Sequence, residues 1–90
     1  MIVAEATVEI KNRLGLHLRA ATVLAKEAAQ FKSEITIIRG KNQVKARSVT
    51  GLMMMGAGQG AKLKVRAEGE DAREALKAIQ DLFAAGFGEE

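Results

Sequence analysis

The stretch Lys62-Leu63-Lys64-Val65-Arg66-Ala67 decides the fold class, because Leu63, Val65 and Ala67 alternate with Lys62, Lys64 and Arg66. Successive side chains of a strand point to opposite faces, so this segment buries one face and leaves the other, basic face in water. Half-buried strands belong to antiparallel sheets whose second face is open to solvent. The same period of two recurs upstream, where Ala6, Val8 and Ile10 alternate with Glu5, Thr7 and Glu9. It recurs again where Ile35 and Ile37 alternate with Glu34 and Thr36, and where Val44 and Ala46 alternate with Gln43, Lys45 and Arg47. Gly40-Lys41-Asn42 separates these last two runs and supplies the turn of a hairpin.

Between the strands the period changes. Asn12-Arg13-Leu14-Gly15 breaks the first strand, and Leu18, Ala21, Leu24, Ala25, Ala28 and Phe31 then recur at helical spacing, which predicts a helix from about Leu18 to Phe31. Ser48 is a good N-cap for the apolar stretch Val49 to Met55, a two-turn helix ended by Gly56. Glu68-Gly69-Glu70-Asp71 places acids where a helix N-terminus favours them. Ala72, Ala75, Leu76, Ile79, Leu82 and Phe83 share one face of a last helix, which should stop before Gly86-Phe87-Gly88. The order βαββαβα predicts an α+β two-layer open-faced sandwich, a four-stranded antiparallel sheet with three helices on one face. Glu5, Thr7, Glu9, Thr36, Gln43, Lys45, Lys62, Lys64 and Arg66 form its wet face, and Ile38 is the one apolar side chain that breaks the register.

Composition narrows the function. Ninety residues are expected to form a single domain, residues 1–90, since either half alone would have too little core. The absence of Cys excludes a disulfide framework, a thiol nucleophile and a thiolate metal site. No apolar run approaches the roughly 20 residues of a membrane span, and Met1-Ile2-Val3-Ala4-Glu5 lacks the basic-then-apolar layout of a signal peptide. A cytoplasmic monomer that does not insert into membranes is therefore expected. The net charge of +3 favours acidic partners, yet three Phe with neither Trp nor Tyr leave few platforms for stacking bases, so nucleic acid is not the expected partner.

His17 is the only His in the chain, so neither a zinc site nor a nucleophile–base pair can be built around a second imidazole or a thiol. A lone His is ordinarily a surface or packing residue. This one follows the breaker Gly15 and immediately precedes the first helix, where unpaired backbone N–H groups and the helix dipole favour an anion. Arg19 lies two residues on, and no acid occurs between Lys11 and Lys26. The chemistry this arrangement suits is transient phosphorylation, with a neutral imidazole as nucleophile and a guanidinium on the phosphoryl oxygens. Which ring nitrogen would react is open at this level. No cofactor or metal is required.

Gly15-Leu16-His17-Leu18-Arg19-Ala20-Ala21 closely resembles the Gly-Leu-His-Ala-Arg-Pro-Ala motif of the HPr family, the histidine-containing phosphocarriers of the bacterial phosphoenolpyruvate-dependent sugar phosphotransferase system. Further blocks follow in order: Phe31-Lys32-Ser33-Glu34-Ile35, Ala46-Arg47-Ser48-Val49-Thr50-Gly51, Gln59-Gly60-Ala61 and Glu68-Gly69-Glu70-Asp71. The resemblance implies that His17 takes a phosphoryl group from Enzyme I on Nδ1 and passes it to IIA components of sugar permeases, with Arg19 steadying the group. Ala20 stands where the family has Pro, which adds a backbone N–H at an early helical position.

Ser48 matches the serine that HPr kinase/phosphorylase modifies in part of the family, beside its plain role as a cap. In the run Met53-Met54-Met55, helical geometry splits core from surface: if Leu52 and Met55 face the sheet, Val49, Thr50, Met53 and Met54 fall on the outer side, where the family presents an apolar docking patch. Asn12-Arg13-Leu14-Gly15 and Leu82-Phe83-Ala84-Ala85-Gly86-Phe87 also resemble the nitrogen-related, regulatory branch. From a different class, a small basic nucleic-acid-binding module would use Lys62, Lys64 and Arg66 on phosphates.

Overall fold

A computed structural model describes residues 1–89. Its elements run β1 (Val3–Glu9), α1 (Leu18–Ala28), β2 (Glu34–Arg39), β3 (Asn42–Lys45), α2 (Val49–Met54), β4 (Lys62–Glu68) and α3 (Ala72–Ala84), closed by a short 3-10 turn at Gly86–Gly88. The four strands form one sheet in the order β1-β4-β2-β3, and every neighbouring pair is antiparallel. The chain thus forms the open-faced sandwich expected from its alternating strands.

The strand read first, β4, is central. Val65 pairs with Ala6 of β1 and Ile37 of β2, and Leu63 pairs with Val8, so the apolar positions of three strands fall on one face. The helices cover that face, and Phe83, Ile10, Leu24, Ile37, Leu52, Leu63 and Ile79 are fully buried between the layers. Each such side chain contributes roughly 1.5–3 kcal/mol by leaving water. On the open face Arg66 Nε donates to Glu5 Oε2 at 2.7 Å across β1 and β4, which holds the Glu5 carboxyl below its ordinary range. Ile38 is half-buried there between its cross-strand neighbours Gln43 and Lys64.

Three local readings are corrected. Helix α1 ends at Ala28, and Gln30 and Phe31 instead close three-residue turns onto Glu27 and Ala28. Phe31 keeps the helical phase because this tighter turn continues the helix's direction, and it still packs on the core. Leu18 is 61% exposed, while Ala20 is fully buried. At 100° per residue Leu18 lies about a quarter-turn from the middle of the arc formed by Ala20, Ala21, Leu24, Ala25 and Ala28, at the edge of the buried face. Strand β3 stops at Lys45, although Ala46 N still donates to Ile35 O at 2.9 Å. Among the described residues no helix is long and apolar enough to cross a membrane.

Candidate site at the head of the first helix

His17 is the N-cap of α1. Its backbone is extended (φ −78°, ψ −179°), and its Nδ1 accepts a hydrogen bond from Arg19 N at 3.3 Å. An imidazole here does what a Ser or Asp cap does, satisfying one of the helix's orphan N–H groups. The loop before it is held by Gly15, whose φ is +65°; a Cβ there would lie 2.4 Å from Ala57 O, and Leu16 N donates to that same carbonyl. Only glycine tolerates both the left-handed backbone and this close approach. The breaker that the sequence places before the helix is therefore also the hinge that aims His17.

The other ring nitrogen is occupied. His17 Nε2 lies 2.9 and 2.8 Å from the two carboxylate oxygens of Glu89, and Glu89 Oε1 also accepts from Asn12 Nδ2 at 3.0 Å. Asn12 is itself buried, and its second amide hydrogen goes to Gly15 O at 2.8 Å. The side chains of His17 and Glu89 are 26% and 14% exposed, so the pair is partly shielded from water. The His17 hydrogen bond, the Asn12 amide and the nearby Arg19 charge hold the Glu89 carboxyl below its ordinary range against the opposing effect of desolvation.

The approach to His17 is not free of acid in space, as the run from Lys11 to Lys26 is in sequence, because the tail brings a carboxylate to it. Sequence reading assigned no role to Asn12 or Glu89. The only signal was that a functional imidazole needs an orienting partner and that an acidic tail follows the Gly86–Gly88 turn. Arg19 is exposed beside the ring, and a cleft of about 460 Å³ next to it is lined by Arg13, Leu14, Arg19, Gly88 and Glu89.

Ser48 caps α2 as read, its Oγ accepting from Gly51 N at 3.0 Å. Of the four patch residues, Thr50, Met53 and Met54 are exposed, Met54 at 81%, whereas Val49 is half-buried and packs on the core. Val49 opens the helix, where the chain leaves Ala46 in the core, so its side chain is shared between core and surface. Leu52 is fully buried and Met55 partly so, which is the division helical geometry predicts.

An open-faced sandwich that presents one imidazole at the head of its first helix is the architecture of a small histidine phosphocarrier. The family model described as the PTS HPr component phosphorylation site matches residues 4–85. The chain is 40% identical over 83 residues to the phosphocarrier protein HPr of Neisseria meningitidis, covering 92% of this chain and 93% of that one. It is 47% identical over 85 residues to the phosphocarrier protein NPr of Shewanella violacea, covering 94% and 93%. The crystal structure of HPr-C-His from Thermoanaerobacter tengcongensis superposes with a TM-score of 0.92 at 44% identity, covering 97% of this chain and 98% of that one. The chain belongs to the HPr family and is a phosphocarrier of the phosphotransferase system.

Proposed function

We propose that His17 is the phosphoryl acceptor and that it reacts through Nδ1. The observation that carries this reading is the asymmetry of the ring: Nε2 is held by a carboxylate, whereas Nδ1 faces the N–H groups at the head of α1. A phosphoryl group on Nδ1 would meet the positive end of the helix dipole, with the Arg19 guanidinium within reach of its oxygens. The donor is Enzyme I and the recipients are IIA components. They dock on Thr50, Met53 and Met54 together with the exposed edge of Val49, flexible side chains that suit several differently shaped partners. The protein acts as one cytoplasmic domain and is a substrate and donor for other enzymes, not a catalyst in its own right.

Incubation with phosphoenolpyruvate and Enzyme I should yield an acid-labile, base-stable phosphate, and His17→Ala should abolish it. Retention of that label in the variant would overturn the assignment. Ser48 is a second, regulatory phosphorylation site for HPr kinase/phosphorylase, placed where two added negative charges would sit beside the docking patch.

The alternative reading, a regulatory carrier of the nitrogen-related branch, rests on the resemblance of Asn12-Arg13-Leu14-Gly15 and Leu82-Phe83-Ala84-Ala85-Gly86-Phe87 to that branch. Comparing phosphoryl transfer to a nitrogen-type IIA protein and to a sugar-type one separates the two, with faster transfer to the sugar type expected.

A further inference from the structure

The tail that reaches His17 is held in an unfavourable backbone conformation. Gly86, Phe87 and Gly88 have φ values of +60°, +58° and +76°, and Phe87 is the only residue other than glycine with positive φ among the described residues. A bulky side chain in the left-handed region costs on the order of 1–3 kcal/mol and persists only where its surroundings compensate. Phe87 is buried, with its ring edge-to-face on Phe83 at 4.9 Å between centroids. Glu89 N then donates to Gly86 O at 2.9 Å, which closes the turn and delivers the Glu89 carboxylate onto Nε2 of His17. Asn12 holds the carboxylate from the other side.

We propose that Glu89 is a positioning residue for phosphoryl transfer, holding the proton of His17 on Nε2 and stabilising the positive charge that the ring acquires when Nδ1 is phosphorylated. The proposal rests on His17 being the acceptor. A carboxylate facing Nε2 can only accept, so the neutral ring carries its proton there and its lone pair at Nδ1. In the transfer that lone pair forms the N–P bond, the donor's bond to phosphorus breaks, and its electron pair stays with the donor atom. The Nε2 proton does not leave, so the product ring is a phospho-imidazolium with one positive charge. Arg19 N–H, released from Nδ1, is then free to meet a phosphoryl oxygen. The carboxylate contacts the cationic ring directly and keeps its hydrogen bond from Nε2, while the phosphoryl group lies across the ring, where the head of α1 and Arg19 offset its charge.

The test compares wild type, Glu89→Gln and Glu89→Ala at equilibrium with a limiting amount of phosphorylated Enzyme I, reading the fraction of phosphoryl group on His17 by 31P NMR. Glu89→Gln preserves shape and a hydrogen-bond acceptor but removes the charge. It should lower the equilibrium constant for phosphorylation of His17 by about threefold to tenfold, the range of a partly shielded ion pair. Glu89→Ala should lower it at least as much and, in 15N NMR of the unphosphorylated ring, should raise the share of the Nδ1–H tautomer. Thermal melts of the two variants establish that Phe87 remains packed. Unchanged equilibrium constants and tautomer ratios, or a higher phosphorylated fraction in the variants, would overturn the role of Glu89. Absence of phosphate from His17 in wild type would instead overturn the acceptor assignment.

Discussion

Two helices of this protein begin on a polar side chain that accepts from the backbone, and the two caps differ in everything around that bond. Ser48 caps α2 through Oγ at 3.0 Å from Gly51 N, and it is exposed, with no charged group bonded to it among the described residues. His17 caps α1 through Nδ1 at a looser 3.3 Å, and its far nitrogen is clamped by a carboxylate that arrives from 72 residues away. A hydroxyl needs no help to cap, because it rotates to suit its partner. An imidazole must be turned so that one nitrogen accepts, and a carboxylate on the other nitrogen does this. The comparison separates a cap that orients itself from one that is oriented by a distant carboxylate and whose capping atom is also the proposed nucleophile.

The largest effect should come from the hinge that aims His17. Gly15→Val forces a Cβ toward Ala57 O and a branched residue into φ +65°. It should destabilise the protein by about 2–4 kcal/mol in urea unfolding and slow phosphorylation as well. Undiminished stability would mean that this loop relaxes and does not fix the site.

Arg19→Ala tests the contrast from the side of charge. Because Arg19 is exposed, the variant should melt within about 3 °C of wild type while transferring phosphoryl groups roughly tenfold or more slowly in stopped-flow assays with Enzyme I. At the other cap, Ser48→Asp keeps a capping oxygen and adds charge next to the apolar patch. Calorimetric titration should show Enzyme I binding weakened by about tenfold with the melting temperature held. Ser48→Ala should do the reverse, losing about 1 kcal/mol of stability and leaving Enzyme I affinity unchanged. Equal affinities for Ser48→Asp and wild type would place the docking surface elsewhere.

The smallest effect concerns α3, whose N-cap, Asp71, does not cap it. The Asp71 carboxylate instead accepts from Ser33 Oγ, Ser33 N and Lys32 N, tying the loop after α1 to the start of α3. The Ser33 hydroxyl and the two backbone N–H groups hold the Asp71 carboxyl below its ordinary value of 3.8. The unfolded chain therefore binds a proton before the folded one does. The resulting stabilisation is present above that ordinary value and is lost as pH falls through the lower, folded value. Asp71→Asn should reduce the slope of stability against pH in this acid window, measured by denaturation between pH 2 and about 5.

Local periodicity carried most of the fold. Alternation located all four strands because each has one wet face, and the apolar spacing of α1 and α3 located the helices. It did not place β4 between β1 and β2, since alternation is blind to which strand lies beside which. It also put Leu18 in the core, because the period alone does not reveal where the edge of the buried face falls, a quarter-turn from its middle. The candidate site was legible as far as it is local: His17, Arg19 and Ser48 stand out by a breaker, a helix start and a capping position, and the structure places His17 and Ser48 as the caps of α1 and α2. The Glu89 clamp was not legible, because it depends on a left-handed Phe87 and on Asn12, and no pattern within a window links residues 12, 17 and 89.

The central claim is that His17 carries the phosphoryl group on Nδ1. The most direct test is 15N–31P correlation NMR on 15N-histidine-labelled protein phosphorylated by phosphoenolpyruvate and Enzyme I. One phosphorus coupled to Nδ1 of His17, with Nε2 still protonated, is the expected result. Coupling to Nε2, or phosphate found on any other residue with His17 unmodified, would contradict it.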